Sequence, residues 1–324
     1  MMCDVIRFHC PTCEQTVEDR KKEILTNISD WVNSAALKNM VAIFGKEIPS
    51  CSLKSKIEWL NEFANEWDYR KKQSSDGERW TVTAEPIAEA NANKIMEYVR
   101  VLGLVDIEKP IKYPDYILPL GGALFSNYNR PKKAKEIIDS MNIQSCDIVA
   151  LSGTRPITDV ERSSVDTYAP SAITEFEAIS QGMEKVFGLN SKRYKEEHYR
   201  NENINLEWAQ RTYDEKYHNN KIISLAAPSS DPNRRANSRD TFLYFLEKFN
   251  VKKGDKLLLV TSTIYVPFQL LRFMDLAIEN GFYVDCVGIP IGNKNGDNIS
   301  RITNYCQETK AVINAIKSIS DKWL

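Results

Sequence analysis

The sequence predicts an α/β protein, a doubly wound, Rossmann-like and mainly parallel sheet of five strands with an all-α N-terminal extension. Three observations predict it. From Tyr113 onward, short apolar or β-branched runs alternate with helical stretches. Those runs are apolar almost throughout, as strands covered on both faces must be. Before that point, apolar residues recur near helical spacing. The chain therefore divides into a helical domain over residues 1–110 and an α/β domain over residues 111–324.

The extension reads as helices over EQTVEDRKKEILTNISDWVNSAALKNMVAIF, SLKSKIEWLNEFANEWDY and AEPIAEANANKIMEYVRVLGLV. Trp31, Trp59, Trp67 and Trp80 fall in it, enough apolar area for a small core of its own. GERWTVTAEP reads as a short strand or wing between helices. The strands of the second part are DYILPL (115–120), DIVALS (147–152), KIISLAA (221–227), DKLLLVTS (255–262) and FYVDCVGI (282–289). Helices begin near Arg130, Ser171, Asn237, Val266 and Asn298. Residues 190–220 break the rhythm as a long polar, aromatic-rich insertion, read either as a solvated helical excursion or as a lid over the sheet.

Composition narrows the partners. Lys plus Arg number 43 against 44 Asp plus Glu, a formal net charge of −1, so nothing in the whole-chain charge attracts nucleic acid or an anionic membrane. No apolar run reaches the roughly 18–20 residues of a membrane-spanning helix, and the N-terminus lacks the order of a signal peptide. A cytoplasmic protein is expected. Its seven cysteines read as reduced thiols, with Cys146 and Cys286 as small core residues. His9-Cys10-Pro11-Thr12-Cys13 offers half a tetrahedral zinc site, so no metal is expected there.

Ligands in an open parallel sheet bind beyond the carboxyl ends of its strands. The turns at those ends are GGALFSNYNR (121–130), SGTRP (152–156), APSSDPNRRANSRD (227–240), TSTIYVP (261–267) and GIPIGNKNGD (288–297). Small and hydroxylated residues let backbone N–H groups approach an anion closely. Gly121, Gly122, Ser152, Gly153, Thr154, Thr261 and Ser262 are the candidates for that role. Arg130, Arg155, Arg234, Arg235 and Arg239 lie on or near the same turns, where a planar fork grips an oxyanion. Asn237 and Ser238 would orient the ligand, and Glu175 or Asp240 would serve as general base or ribose ligand. Both acids also stand in first helical turns, where capping alone explains them. The chain has no GxxxxGK[ST], GxGxxG, HExxH or GxSxG motif, which sets aside P-loop, dinucleotide-fingerprint, zincin and α/β-hydrolase chemistry.

ILPLGGA, a strand ending in Ser-Gly, TEFEAISQGM, ANSRDT and LLLVTSTIYVPFQLLRF, in that order over residues 113–290, resemble the SanA/YdcF-like (ElyC-like) family. In that likeness Gly121 and Gly122 match the family's first glycines, Ser152 and Gly153 its second turn, and Thr174 and Glu175 its Ser-Glu pair. Asn237, Ser238 and Asp240 match the next motif, and Thr261 and Ser262 its Thr-Ser, while Tyr265 occupies the position of its histidine. The resemblance implies a Rossmann-like domain binding S-adenosylmethionine or another nucleotide-like molecule. The expected function is binding of a small anionic or nucleoside-like ligand with transferase or hydrolase activity. The alternative is a non-catalytic sensor whose helical extension contacts a partner.

Overall fold

A computed structural model describes residues 4–70, 87–106, 109–291 and 302–324. The GERWTVTAEP segment lies outside the described residues, as do the last residues of the 288–297 turn. The strands are β1 (Tyr116–Pro119), β2 (Asp147–Ser152), β3 (Tyr194–Tyr199), β4 (Trp208–Tyr213), β5 (Lys221–Ala226), β6 (Lys256–Ser262) and β7 (Tyr283–Ile289). They form one sheet in the order β3-β4-β5-β2-β1-β6-β7. The protein is thus a mixed α/β protein whose sheet has seven strands instead of five. The five expected strands are present and mutually parallel.

The two extra strands come from the 190–220 insertion, which is a β-hairpin and not a helical excursion. β3 pairs antiparallel with β4, and β4 antiparallel with β5, so the hairpin widens the sheet. Its polar face misleads a reading by composition. On β4, Ala209 and Tyr213 are buried, while Arg211 pairs with Glu196 directly opposite on β3 and reaches Glu184 as well. Charge neutralised across strands takes the place of apolar alternation.

The helices among the described residues are α1 (Val17–Asn33), α2 (Ala35–Ile43), α3 (Leu53–Phe63), α4 (Glu89–Val101), α5 (Ser126–Met141), α6 (Asp159–Val165), α7 (Glu175–Phe187), α8 (Ser238–Phe249), α9 (Val266–Asn280) and α10 (Ile302–Trp323). The long first helical segment of the sequence breaks at Ser34, whose hydroxyl accepts from Leu37 N at 3.2 Å and so starts α2. On one face of the sheet Ile117, Ile148 and Leu258 pack with Ile137 of α5 and Met183 of α7. On the other, Leu118, Val149 and Leu259 pack with Phe242 of α8 and Phe273 of α9. That second cluster continues through Trp31, Leu37 and Trp67 of the N-terminal helices to Ile313 and Ile316 of α10. Arg20, only 1% exposed, ties α1 to this layer. Its guanidinium donates to the carbonyls of Ala277 and Ile278 at the end of α9, at 3.1 and 3.2 Å, and to Phe282 O at 2.7 Å. A cation at a helix C-terminus satisfies carbonyls that the helix leaves open.

α7 packs against α5 at Gly182, where an added Cβ would collide with the backbone carbonyl of Asn127. Backbone cannot move aside as a side-chain tip can. Gly182→Ala is therefore expected to cost about 1–3 kcal/mol, the usual penalty of overpacking, read as a lower urea midpoint. An unchanged midpoint would show that the two helices can separate freely.

Candidate functional site

In the parallel part of the sheet, β2 and β5 lie on one side of β1, and β6 and β7 on the other. The chain reverses its direction of building between β1 and β6, and the loops leaving those strands must diverge there. A cleft of about 1010 Å³ opens at that edge. Its lining includes Gly121, Gly122, Arg130, Ser152, Gly153, Thr154, Arg155, Glu175, Asn237, Ser238, Ser262 and Tyr265, so residues from four loops meet in one place.

Glycine is required at the first of these positions. A Cβ on Gly121 would strike the Glu175 carboxylate and stand 2.9 Å from Leu151 O, so only a bare Cα lets β1 turn beside α7. The expectation that Gly122 offers its N–H to a ligand is corrected. The Gly122 N–H donates to Asn127 Oδ1 at 3.0 Å and that of Gly121 to Leu151 O at 2.5 Å, both holding the loop. The loop is further fixed from below by Arg130, 5% exposed, which donates to the carbonyls of Leu120 and Gly121 at 2.7 and 2.5 Å and to Ser262 Oγ at 3.3 Å. Arg130 therefore braces β1 against β6.

Glu175, the first residue of α7, is placed by Thr174, whose hydroxyl caps the helix by accepting from Glu177 N at 3.2 Å. Its carboxylate meets Arg155 Nε at 2.5 Å. The same guanidinium forks onto Glu161, with 2.9 Å from Nη1 to Oε2 and 2.9 Å from Nη2 to Oε1. Glu161 is fully buried, and burial alone would favour its neutral form, yet the Arg155 fork and the Thr158 N–H and hydroxyl hold its pKa below the usual value. Burial likewise opposes the charge on Arg155, but the two carboxylates raise its pKa. One cation is shared by two acids, with Arg155 and Glu175 reaching the cleft wall and Glu161 buried behind them.

Three sequence candidates are placed elsewhere. Thr261 is fully buried within β6, its hydroxyl without a partner among the described residues, and does not line the cleft. Arg239 turns away to Asp275 of α9, at 3.0 and 3.2 Å, which corrects its assignment as an anion clamp. Asp240 closes a capping box with Asn237 and pairs with Arg234, which does line the cleft. It holds that arginine and does not itself line the cleft. Although burial opposes ionisation, Arg234, the Asn237 N–H and the Ser230 hydroxyl lower the Asp240 pKa from 3.8 to about 2. A carboxyl depressed on folding contributes stability above its unfolded pKa and loses it as pH falls through the folded one. The wild type is therefore expected to lose urea stability relative to Asp240→Asn as pH drops from 3.8 to about 2. Parallel pH profiles would show that Asp240 adds nothing.

The cleft also contains residues that sequence reading did not find. Asn205 and Ile204 come from the tip of the β3–β4 hairpin, where Thr154 Oγ1 donates to Ile204 O at 2.9 Å and Ser229 N to Asn205 O at 2.6 Å. The insertion thus walls the cleft at its β5 end. Arg70 and Glu308, an ion pair between the N-terminal segment and α10, wall it elsewhere. No sequence signal links positions so far apart. Phe268 and Ile264, which follow β6, add apolar wall.

Among the described residues, no group of three or more His, Cys, Asp or Glu side chains is arranged to hold a metal ion. Cys10 is buried and its thiol pushed up to about 11 by that burial. No helix among the described residues is long and apolar enough to cross a membrane.

Over residues 15–103 the chain matches the family described as the Rv3785 N-terminal domain. It is also similar to the uncharacterized protein Rv3785 of Mycobacterium tuberculosis. The identity is 24% over 341 residues, spanning 97% of this chain and 94% of the relative, and the uncharacterized protein Mb3814 of Mycobacterium bovis matches to the same extent. No solved structure matches. These findings correct the SanA/YdcF-like resemblance: no model of that family matches, whereas the Rv3785 likeness runs through the helical N-terminal segment as well. Small residues after β-strands recur wherever loops turn tightly, so motifs of two or three of them do not define a family.

Proposed function

We propose that the protein binds a small anionic or nucleoside-like ligand in this cleft, using the sheet as a doubly wound, Rossmann-like platform, and acts on it as a transferase or hydrolase. The observation that carries the reading is that five arginines, Arg70, Arg130, Arg155, Arg234 and Arg235, line the cleft, against Glu175 and Glu308 as its lining acids. Arginines converging at the carboxyl edge of a parallel sheet are chemically matched to phosphate or carboxylate. Glu175 is the carboxylate placed to accept a proton or a ligand hydroxyl.

A second reading, a ligand sensor without turnover, is favoured by the ion pairs themselves: Arg155 holds Glu175 and Arg234 holds Asp240. Mass spectrometry of any small molecule that copurifies separates the two, since a cleaved ligand speaks for catalysis and an intact one for sensing.

The cleft itself is tested by Gly153→Val. A Cβ at Gly153 meets nothing within 4 Å, so the side chain enters open cleft and the fold is untouched. An unchanged melting temperature with about tenfold or greater loss of affinity, near 1.4 kcal/mol, for any small molecule found to copurify with the wild type is expected by calorimetry. Full affinity in that variant would move the site elsewhere.

A further inference from the structure

We propose that a second copy of this chain pairs with one edge of the sheet, β3 against β3, about a two-fold axis at Glu196. An edge strand offers a row of unpaired backbone N–H and C=O groups, which proteins cover or guard with charge. The two edges of this sheet differ. Along β7 the N–H of Val284 donates to the Cys10 thiol and Asp285 accepts the Ile111 N–H at 3.0 Å, so other segments of the chain already lie beside it. β3 stands at the opposite end of the strand order, joined to β4 on one side and to no strand on the other among the described residues. Its side chains alternate between two faces. Glu196 meets Arg211 on the side of α7, whereas Tyr199 opposes Trp208, whose ring lies 6.1 Å from that of Tyr244 on α8. Arg193, Lys195, Glu197 and Tyr199 therefore share the α8 side, with Glu197 half-buried and the other three exposed.

The order of these side chains is self-complementary. An antiparallel pairing of two identical strands about a two-fold axis centres on one residue, and that residue fixes the whole register. Centred on Glu196, Lys195 stands directly opposite Glu197 of the other copy and Arg193 opposite Tyr199 of the other copy, each pair occurring twice by symmetry. Within β3, Lys195 Nζ already lies 2.6 Å from Glu197 Oε1. The four charges around the axis thus form a square in which each neighbour, along the strand or across it, has the opposite sign. At either end a guanidinium meets a tyrosine ring, a cation–π contact. Moving the axis by one residue sets Lys195 against Lys195 or Glu197 against Glu197, which is destabilising. The favoured register does place Glu196 opposite itself. Arg211, however, donates to each Glu196 at 2.8 and 2.9 Å, so two neutralised carboxylates meet there. Basic residues followed by acidic ones along a single edge therefore oppose shifted pairings and admit the same strand reversed. Six paired residues on each strand bury little area, so a reversible, concentration-dependent dimer is expected and not an obligate one.

Sedimentation equilibrium of the full chain over a wide range of protein concentration tests this, on wild type, Lys195→Glu, Glu197→Lys and the double variant Lys195→Glu/Glu197→Lys. Circular dichroism checks the fold of each. Wild type should show a monomer–dimer equilibrium. Either single reversal turns both cross-strand pairs into like-charge pairs and should weaken association about tenfold or more. The double variant keeps every pair opposite in sign and should associate as wild type does. An equimolar mixture of the two single variants should also dimerise, since each presents the charges the other lacks, an outcome that misfolding cannot imitate. A wild type that stays monomeric throughout, or dimers indifferent to both reversals, would overturn the proposal. So would single variants that associate no better mixed than alone.

Discussion

Replacing Arg155 by methionine is expected to destabilise the protein by about 3–5 kcal/mol, the cost of leaving buried charges without their partner. Arg155 is the shared partner of Glu161, whose side chain is 0% exposed, and of Glu175, at 11%. Removing it places two carboxylates side by side with no cation between them. Protonation is then the remaining escape, so the variant should regain part of its stability at mildly acidic pH, where the wild type gains none from this cluster. Arg155→Lys is expected to recover only part of the loss, because an ammonium cannot present the fork that meets both Glu161 oxygens while Nε faces Glu175. Urea denaturation across pH reads the wild type and both variants. A loss below about 1 kcal/mol in Arg155→Met would mean that solvent reaches the cluster and screens it as it screens a surface pair.

Trp67→Ala carries a similar expected cost, about 3–5 kcal/mol, for a different reason. Trp67 is fully buried, with its ring 5.1 Å from that of Phe63 and 5.6 Å from that of Phe44. Deleting the indole leaves a cavity where the N-terminal helices meet the cluster that includes Ile313 and Ile316 of α10. Because the same cluster reaches Leu118 and Leu259 of the sheet, the variant is expected to unfold in one transition at a lower midpoint, by circular dichroism and by tryptophan fluorescence alike. Two separated transitions, with only the first displaced by Trp67→Ala, would instead make residues 1–110 an independently folding domain. The result bears on the cleft directly, since Arg70 follows Trp67 by three residues and pairs with Glu308 on its wall.

What the sequence by itself determined was local. The five parallel strands run apolar over their lengths, and burial on both faces leaves no other pattern, so their positions were legible within a residue or two. The loops after them were legible as the rim of one cleft because a parallel sheet presents all its carboxyl ends on one side, and Gly121, Ser152, Asn237 and Ser262 do line it. Tertiary structure alone decided the rest. The β3–β4 hairpin is stabilised by Arg211 against Glu196 and Glu184, partners known only once strands and α7 are in place. Arg239 and Arg234 are near neighbours on one loop, yet the first turns to Asp275 and the second stays on the cleft, because α9 supplies an acid on one side only. Gly122 binds Asn127 through an N–H that composition assigns equally well to a ligand. Residue type states which bonds a group can make; which of them forms depends on what the folded chain brings within about 3 Å.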